Sequence, residues 1–248
     1  MPRTEWGWLI TGEELRSWIL FEDQRVLAVN KPAHVVCHPS KHGEWSSLVG
    51  ACRAYLGTEE LHMPTRLDRE TSGVTVFVKD AATRRMLHRA AEAGQVRKCY
   101  HAVLRGLLRE PVTVDQPIGL AEGSPVAARR AVRAGGQPAR TIFEPVSCAN
   151  NCTLARVTPL TGRTHQIRVH AEWLGLPVAG DKLYPDETVF LSFLATGWPR
   201  TRQALHASEW ECGPFHFHAP PPLAEWRHWL ESEEACESSL DPTTPALS

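Results

Sequence analysis

Several things are missing from this sequence, and each absence excludes a class. Its seven cysteines are odd in number and irregularly spaced, so they do not form the disulfide framework of a small secreted domain. We read them as reduced thiols, which places the chain in the cytoplasm. Cys148 and Cys152 stand four apart, but no second pair follows at zinc-site spacing. The twelve histidines contain no HExxH pattern, so no metal site is expected. His216 and His218 alternate as strand residues do. No apolar run is long enough to span a bilayer and no signal peptide opens the chain, so no membrane association is expected. Basic excess is missing too: 27 Lys and Arg face 28 Asp and Glu, for a net charge of -1. A protein that grips polyanions by overall charge usually looks different. Any such affinity has to come from uneven placement. Local clusters exist at Arg84, Arg85 and Arg89, at Arg97 and Lys98, and at Arg129, Arg130, Arg133 and Arg140. Acid gathers at the C-terminal end, in Glu231, Glu233, Glu234, Glu237 and Asp241.

What is present suits a globular chain of 248 residues, long enough to bury a sizeable core. Thr11 and Glu14 form a capping-box pattern ahead of Leu15, Trp18 and Ile19, which predicts a helix over 11–20. Residues 25–30 (RVLAVN) read as a buried strand ended by Lys31-Pro32. A helix is expected over 46–56, stopped by Gly57. Residues 73–79 (GVTVFVK) are β-branched and aromatic, hence a strand, and Asp80 caps a helix that stops near Gly94. Further strands are expected over 97–104, 141–146 and 153–157, and helices over 164–173, 186–194 and 223–230. The stretch 120–138 is rich in Gly, Ala, Pro and Arg and reads either as a flexible connection or as a basic hairpin. Strands and helices do not alternate steadily, so the fold class is α+β with a mostly antiparallel mixed sheet. We divide the chain into an N-terminal extension with a short helix (1–18), a catalytic domain (19–230) and an acidic flexible tail (231–248).

Two polar segments stand out. In PTRLDRETSGVTVFVK (64–79), Asp68 lies between Arg66 and Arg69, whose guanidinium groups would favour its charged form. Thr71, Ser72 and Gly73 then make a polar turn into a rigid strand, which is a good mount for a reactive carboxylate. On pattern alone, Asp68 reads more readily as a loop residue in a surface ion pair. In PLTGRTHQIRVH (159–170), a turn at Thr161-Gly162 feeds a helix carrying His165, Gln166, Arg168 and His170. That face could meet a ligand or solvent equally well.

Taken together and in this order, RLDRETSG and TGRTHQIRVH resemble the RluA-type pseudouridine synthase family. The resemblance extends to ILFEDQRVLAVNKPAHVVCHP (19–39), VRKCYHAVLRG (96–106), GLPVAGDKLY (175–184) and RQALHA (202–207), and spans about 19–222. It implies that Asp68 is the essential aspartate, that Tyr100 lies against the target base and that Arg168 is the basic partner of the aspartate. Arg66 and Leu67 would shape the pocket and engage RNA. Thr71, Gly73, His165, Gln166 and Leu205 would belong to the substrate pocket. Arg97, Lys98, Arg129 and Arg130 are candidates for the RNA backbone path. The implied fold is the pseudouridine synthase core, a long sheet with flanking helices and a central RNA-binding cleft. Two departures stand out. Thr65 replaces the histidine that often precedes the Arg-Leu-Asp triplet, and the 18 residues before Ile19 are too short for an S4 RNA-binding domain.

The implied reaction cuts the bond from uracil N1 to ribose C1′, turns the base and joins C5 to C1′. Asp68 would either attack C1′ or remove a ribose proton, and the sequence does not choose. No metal, nucleotide or other cofactor is called for, the partner would be ribosomal or transfer RNA, and a monomer is expected. A non-catalytic RNA-binding factor on the same scaffold, or a nucleoside hydrolase, are the competing readings. The second would want a further acid that the pattern lacks.

Overall fold

The computed structural model describes residues 3–4, 7–38, 43–184, 186–197 and 201–231. The acidic tail expected over 231–248 lies, but for its first residue, outside the described residues. The first half of the chain runs through β1 (Arg3–Thr4), β2 (Gly7–Trp8), α1 (Gly12–Trp18), β3 (Ile19–Glu22), β4 (Val26–Lys31), α2 (Leu48–Leu56), β5 (Ser72–Val78), α3 (Ala81–Glu92) and β6 (Arg97–Arg105). Next come β7 (Val112–Asp115), β8 (Ile118–Leu120), β9 (Arg130–Val132), β10 (Arg140–Ala149) and β11 (Cys152–Pro159). The chain continues through α4 (Gln166–Trp173), α5 (Glu187–Thr196), β12 (Leu205–Cys212), β13 (Phe215–His218) and α6 (Leu223–Leu230).

Local chemistry accounts for most of these boundaries. Thr11 and Glu14 exchange cap hydrogen bonds at the start of α1, and the Asp80 carboxylate accepts the Thr83 N–H at the start of α3. Asn150 and Asn151, both at positive φ (49° and 52°), make the tight turn between β10 and β11. Helix α4 starts at Gln166, later than the pattern predicts, because His165 sits in the left-handed region at φ 57°. The undecided stretch 120–138 contains one arm of a small antiparallel pair, β8 with β9. Its strands are three residues each, too short for a period to show.

Among the described residues, a nine-stranded sheet organises the domain in the order β3-β4-β5-β12-β6-β11-β10-β7, with β13 on the far half of β12. The β5–β12 pair is parallel and the other pairs are antiparallel, which agrees with the mixed α+β class expected. Strand β5 is buried along its whole length. On one face Leu27, Val29 and Phe77 pack with Leu15 of α1 and Leu48 of α2; on the other, Val76 and Trp210 pack with Leu87 of α3 and with Phe215 and Phe217. Beyond the β5–β12 seam, Ala102, Leu104, Phe143 and Val157 pack with Ile167 and Ala171 of α4. His216 and His218 point outward while Phe215 and Phe217 face the core. Among the described residues, no helix is long and apolar enough to cross a membrane.

The seam between the two halves of the sheet positions everything that follows. Ser72 and Gly73 of β5 pair with His206 and Ala207 of β12. Past Ala207 the pairing with β5 ends and β13 takes that edge of β12, while β6 stays paired on the other edge after a register shift between Ala207 and Glu209. Gly73 has φ 115°, and a Cβ there would lie 2.2 Å from the Ala207 carbonyl oxygen. Only glycine lets the two strands come this close.

Candidate active site

The loop before β5 and the turn before α4 meet over this seam. They form the walls of an open groove of about 730 Å³, lined by residues that include Arg66, Leu67, Asp68, Tyr100, His165 and Arg168. The Asp68 loop is pinned by its own carbonyls. Buried Lys31, at the end of β4, donates from Nζ to the carbonyls of Pro32, Val35 and Arg69 at 3.0, 2.9 and 3.2 Å. The His34 N–H also donates to the Arg69 carbonyl, the Thr71 N–H to the Asp68 carbonyl, and the Cys37 thiol to the Leu67 carbonyl. Three successive carbonyls are thereby fixed, so the loop holds Asp68 in place without being secondary structure. Burial pulls the Lys31 ammonium down to about 8, against the upward pull of Cys37 and Asp68.

Arg168 projects from α4 across the groove floor. Its Nη1 donates to Asp68 Oδ2 at 2.8 Å, while Nε and Nη2 grip Asp181 at 2.6 and 2.9 Å. The Asp181 side chain is completely buried, and its Oδ1 also accepts the backbone N–H groups of Leu183 and Tyr184 at 2.9 and 3.2 Å. A buried guanidinium is tolerable because two carboxylates share it. Burial opposes ionisation of Asp68, but the charge of Arg168, the nearby His165 imidazole, the Arg168 hydrogen bond and the charge of Lys31 outweigh it, so its pKa falls below the usual carboxylate value. The cations that keep Asp68 charged are therefore not the flanking ones the sequence suggests. Arg66 turns to His38 and Arg69 to Glu70. Among the described residues Asp68 Oδ1 has no partner, and the side chain is 31% exposed. It is a charged oxygen facing open space.

The remaining candidates divide. Tyr100, on β6, lines the same groove, and burial together with the charge of Asp68 raises its pKa, so it is a neutral phenol at pH 7. Thr71 and Leu205 also line the groove, and the Thr71 hydroxyl accepts a hydrogen bond from buried Gln203. Lys98 points into the extension of the groove beside Gly162 and has no hydrogen-bond or ion-pair partner among the described residues. Burial lowers its pKa. Gln166 also lines the groove, with its amide engaged by the protein at both ends. Its Oε1 accepts from Thr161 and the Arg163 N–H, and its Nε2 donates to the Arg140 carbonyl and to Thr141, which leaves nothing for a ligand. Gly73 serves the seam and does not line the groove. Arg129 is drawn away by Glu172 and Glu187, at 2.9 and 3.2 Å, and Arg130 turns onto the carbonyls of Ala127, Ala128 and Arg129. Arg97 is exposed at the start of β6, outside the groove.

With this geometry in hand, comparison with known proteins is specific. The family model described as RNA pseudouridylate synthase matches residues 25–173, which contain both walls of the groove. The chain belongs to this family. An uncharacterized RNA pseudouridine synthase of Bacillus subtilis, YjbO, is 38% identical over 216 residues, covering 82% of this chain and 72% of that protein. A second from the same organism, YhcT, is 35% identical over 198 residues, covering 77% of this chain and 62% of that one. Ribosomal large subunit pseudouridine synthase C of Escherichia coli is 33% identical over 193 residues, 77% of this chain and 60% of the relative. The chain thus spans less than two thirds of the length of several relatives. Among solved structures, human RNA pseudouridylate synthase domain containing 4 superposes with a TM-score of 0.68 at 22% identity, over 85% of this chain and 91% of that one. That likeness is one of fold.

Within this pseudouridylate synthase domain, sequence reasoning passed over three groups that build the site. Lys31 lies in ILFEDQRVLAVNKPAHVVCHP, and Asp181 and Tyr184 lie in GLPVAGDKLY, segments where no local pattern marks their roles. The missing signal was a question of accounting. A buried arginine facing one partly exposed aspartate needs a second, buried acid; Glu172 is nearer along the chain but pairs with Arg129, and Asp181 of GDKLY supplies it.

Proposed function

We propose that this protein isomerises uridine to pseudouridine in folded RNA, with Asp68 as the reacting carboxylate. The observation that carries the proposal is the state of Asp68: ionised through Arg168, fixed by its loop, and open to the groove through Oδ1. The reaction breaks N1–C1′, forms C5–C1′, and moves one proton from C5 while N1 regains one. Atoms balance within the nucleotide, so the chemistry consumes no cofactor. Either route, attack on C1′ or removal of a ribose proton, needs a charged oxygen in reach of the sugar. Tyr100 supplies a ring face for the base, and its hydroxyl takes part in proton transfer at C5 as a neutral group. A base inside folded RNA has to be extruded, and loops make that least costly. Arg66, exposed on the rim beside Leu67, fills the vacated space. Lys98 meets a phosphate farther along the groove. The substrate is a stem-loop of ribosomal or transfer RNA, the former supported by the relatives named for the large ribosomal subunit. We place the enzyme in the cytoplasm, as a monomer.

The test is tritium release from C5-labelled uridine in total cellular RNA, with pseudouridine mapping of the product. The wild-type protein should release tritium, and Asp68→Asn should release none while still binding RNA. Turnover by Asp68→Asn at the wild-type rate would sink the proposal.

A further inference from the structure

His165 sits opposite the open carboxylate in an arrangement that selects a particular chemical group. Its Nε2 lies 3.9 Å from Asp68 Oδ2, too far for a direct hydrogen bond. Its Nδ1 is 3.0 Å from the hydroxyl of buried Tyr184, and that hydroxyl accepts the backbone N–H of Arg130 at 3.0 Å. The rings of His165 and Tyr184 meet edge to face, with centroids 5.8 Å apart. With one lone pair of Tyr184 used by Arg130, the phenolic proton is free to go to His165 Nδ1. The other tautomer would aim a bare Nε2 lone pair at a carboxylate and is disfavoured electrostatically. His165 therefore presents Nε2–H to the groove. Burial, followed by the charge of Arg168, pulls its pKa down to about 4, so it stays neutral and cannot act as a base through the protonated nitrogen. The residue is also held at φ 57°, a conformation that non-glycine residues keep only when their surroundings impose it.

A donor, Nε2–H, and an acceptor, Oδ2, thus face each other across the width of one atom. Two hydrogen bonds of about 2.8 Å meeting at a common oxygen span this gap when they make an angle of about 90°. That bridging atom has to accept from His165 and donate to Asp68 at once. Within an internal nucleotide of RNA, the uracil oxygens and the phosphate oxygens only accept, N3–H only donates, and the 3′ and 5′ oxygens are esterified. The 2′-hydroxyl alone does both.

We infer that His165 and Asp68 together clamp the 2′-hydroxyl of the target nucleotide, with Tyr184 fixing the histidine, so that the site accepts a ribonucleotide and discriminates against its 2′-deoxy counterpart. The inference rests on reading the groove as a uridine isomerase. It adds a specificity-determining residue, and it assigns Asp68 two tasks: Oδ2 holds the hydroxyl on C2′ while Oδ1 faces the adjoining C1′ and C2′ positions.

The experiment uses the full chain and a pool of synthetic hairpin RNAs with a randomised loop carrying one C5-tritiated uridine, made either with ribose or with 2′-deoxyribose at that nucleotide. The quantity read is the ratio of release rates, ribose over deoxyribose, for each protein. In the wild type the ratio should be about tenfold to a hundredfold or more. In His165→Ala it should collapse toward one, and Tyr184→Phe should lower it by a smaller factor. Because each ratio is taken within one protein, partial unfolding of a variant cancels. An unchanged ratio in His165→Ala, or a wild-type ratio near one, overturns the clamp and leaves the isomerase reading intact. No release from the ribose pool with the wild-type protein removes that reading and the clamp with it.

Discussion

Asp181 takes the Nε and Nη2 edge of Arg168, at 2.6 and 2.9 Å, so that only Nη1 is left for Asp68. The buried acid decides where the guanidinium points, and through it the orientation of the reacting carboxylate. Replacing Asp181 by Asn keeps the shape but sets an amide NH₂ against a donor edge and removes the main counter-charge of a buried cation. The expected loss of stability is about 3–5 kcal/mol, the usual effect of breaking a buried ion pair from one side. Turnover should fall by about a hundredfold in the fraction that remains folded, as expected when a reacting group is misplaced. Urea unfolding and tritium release check the two effects. A variant with normal stability and a normal rate would show that Arg168 needs only Asp68.

The seam offers a sharper stability test. Gly73→Ala would put a methyl group 2.2 Å from the Ala207 carbonyl oxygen and 2.6 Å from its nitrogen, at a φ of 115°. Both atoms are backbone and neither can turn aside. Overpacking and left-handed strain together should cost about 2–6 kcal/mol, with β5 and β12 forced apart beneath Asp68. Chemical denaturation of the variant measures this. A change below about 0.5 kcal/mol, the range of ordinary surface substitutions, would contradict the close approach.

Acid should weaken the fold before the carboxylates titrate. Burial pulls His165 and His206 from 6.5 to about 4. In His206, Nδ1 accepts from Ser72 and Nε2–H donates to the Ala219 carbonyl, so the ring has no place for a second proton. The unfolded chain binds protons that the folded one refuses, so the contribution of these rings is complete above pH 6.5 and is lost as pH falls toward 4. Each ring removes up to about 1.4 kcal/mol per pH unit across that window. Urea unfolding at pH 7.5 and at pH 4.5 should differ by up to about 5 kcal/mol, and His206→Gln should flatten the slope. A flat profile over this window would mean that the rings are solvated.

How much of this was legible beforehand depends on the distance over which each feature is encoded. Strand β5 and the caps of α1 and α3 are local, and VTVFV, Thr11 with Glu14, and Asp80 declare them. Strand β12 is not, because it buries His206 and Ser208, whose hydroxyl and ring partners, Ser72 and His101, come from elsewhere in the chain. The pairing of Asp68 with Arg168 spans a hundred residues and was reached by resemblance, since local pattern left Asp68 a surface residue. Charge runs misled in two directions. Arg66 and Arg69 flank Asp68 in sequence and turn elsewhere in space. Arg129 belongs to a basic run, yet Glu172 and Glu187, 43 and 58 residues on, hold it. Counting cations along a chain cannot show which of them have been claimed.

Among the described residues that line the groove, Lys98 is an unclaimed cation. Its ammonium faces the groove near Gly162 with no partner among the described residues, in surroundings that disfavour a bare charge. A phosphodiester entering the groove would relieve that cost, and one neutralised phosphate releases about one counterion. Lys98→Ala should therefore weaken RNA binding by a similar factor on every hairpin sequence, and it should reduce the slope of log Kd against log salt by about 0.9. Lys98→Arg should restore most of the slope, because the charge returns. The measurement is fluorescence-anisotropy titration of hairpin RNA between low and moderate salt, with wild type and both variants in parallel. If the slope of Lys98→Ala matches that of the wild type, the ammonium does not meet the backbone. In that case its partner in the complex would have to be an acceptor on a base or sugar, and the loss would depend on loop sequence.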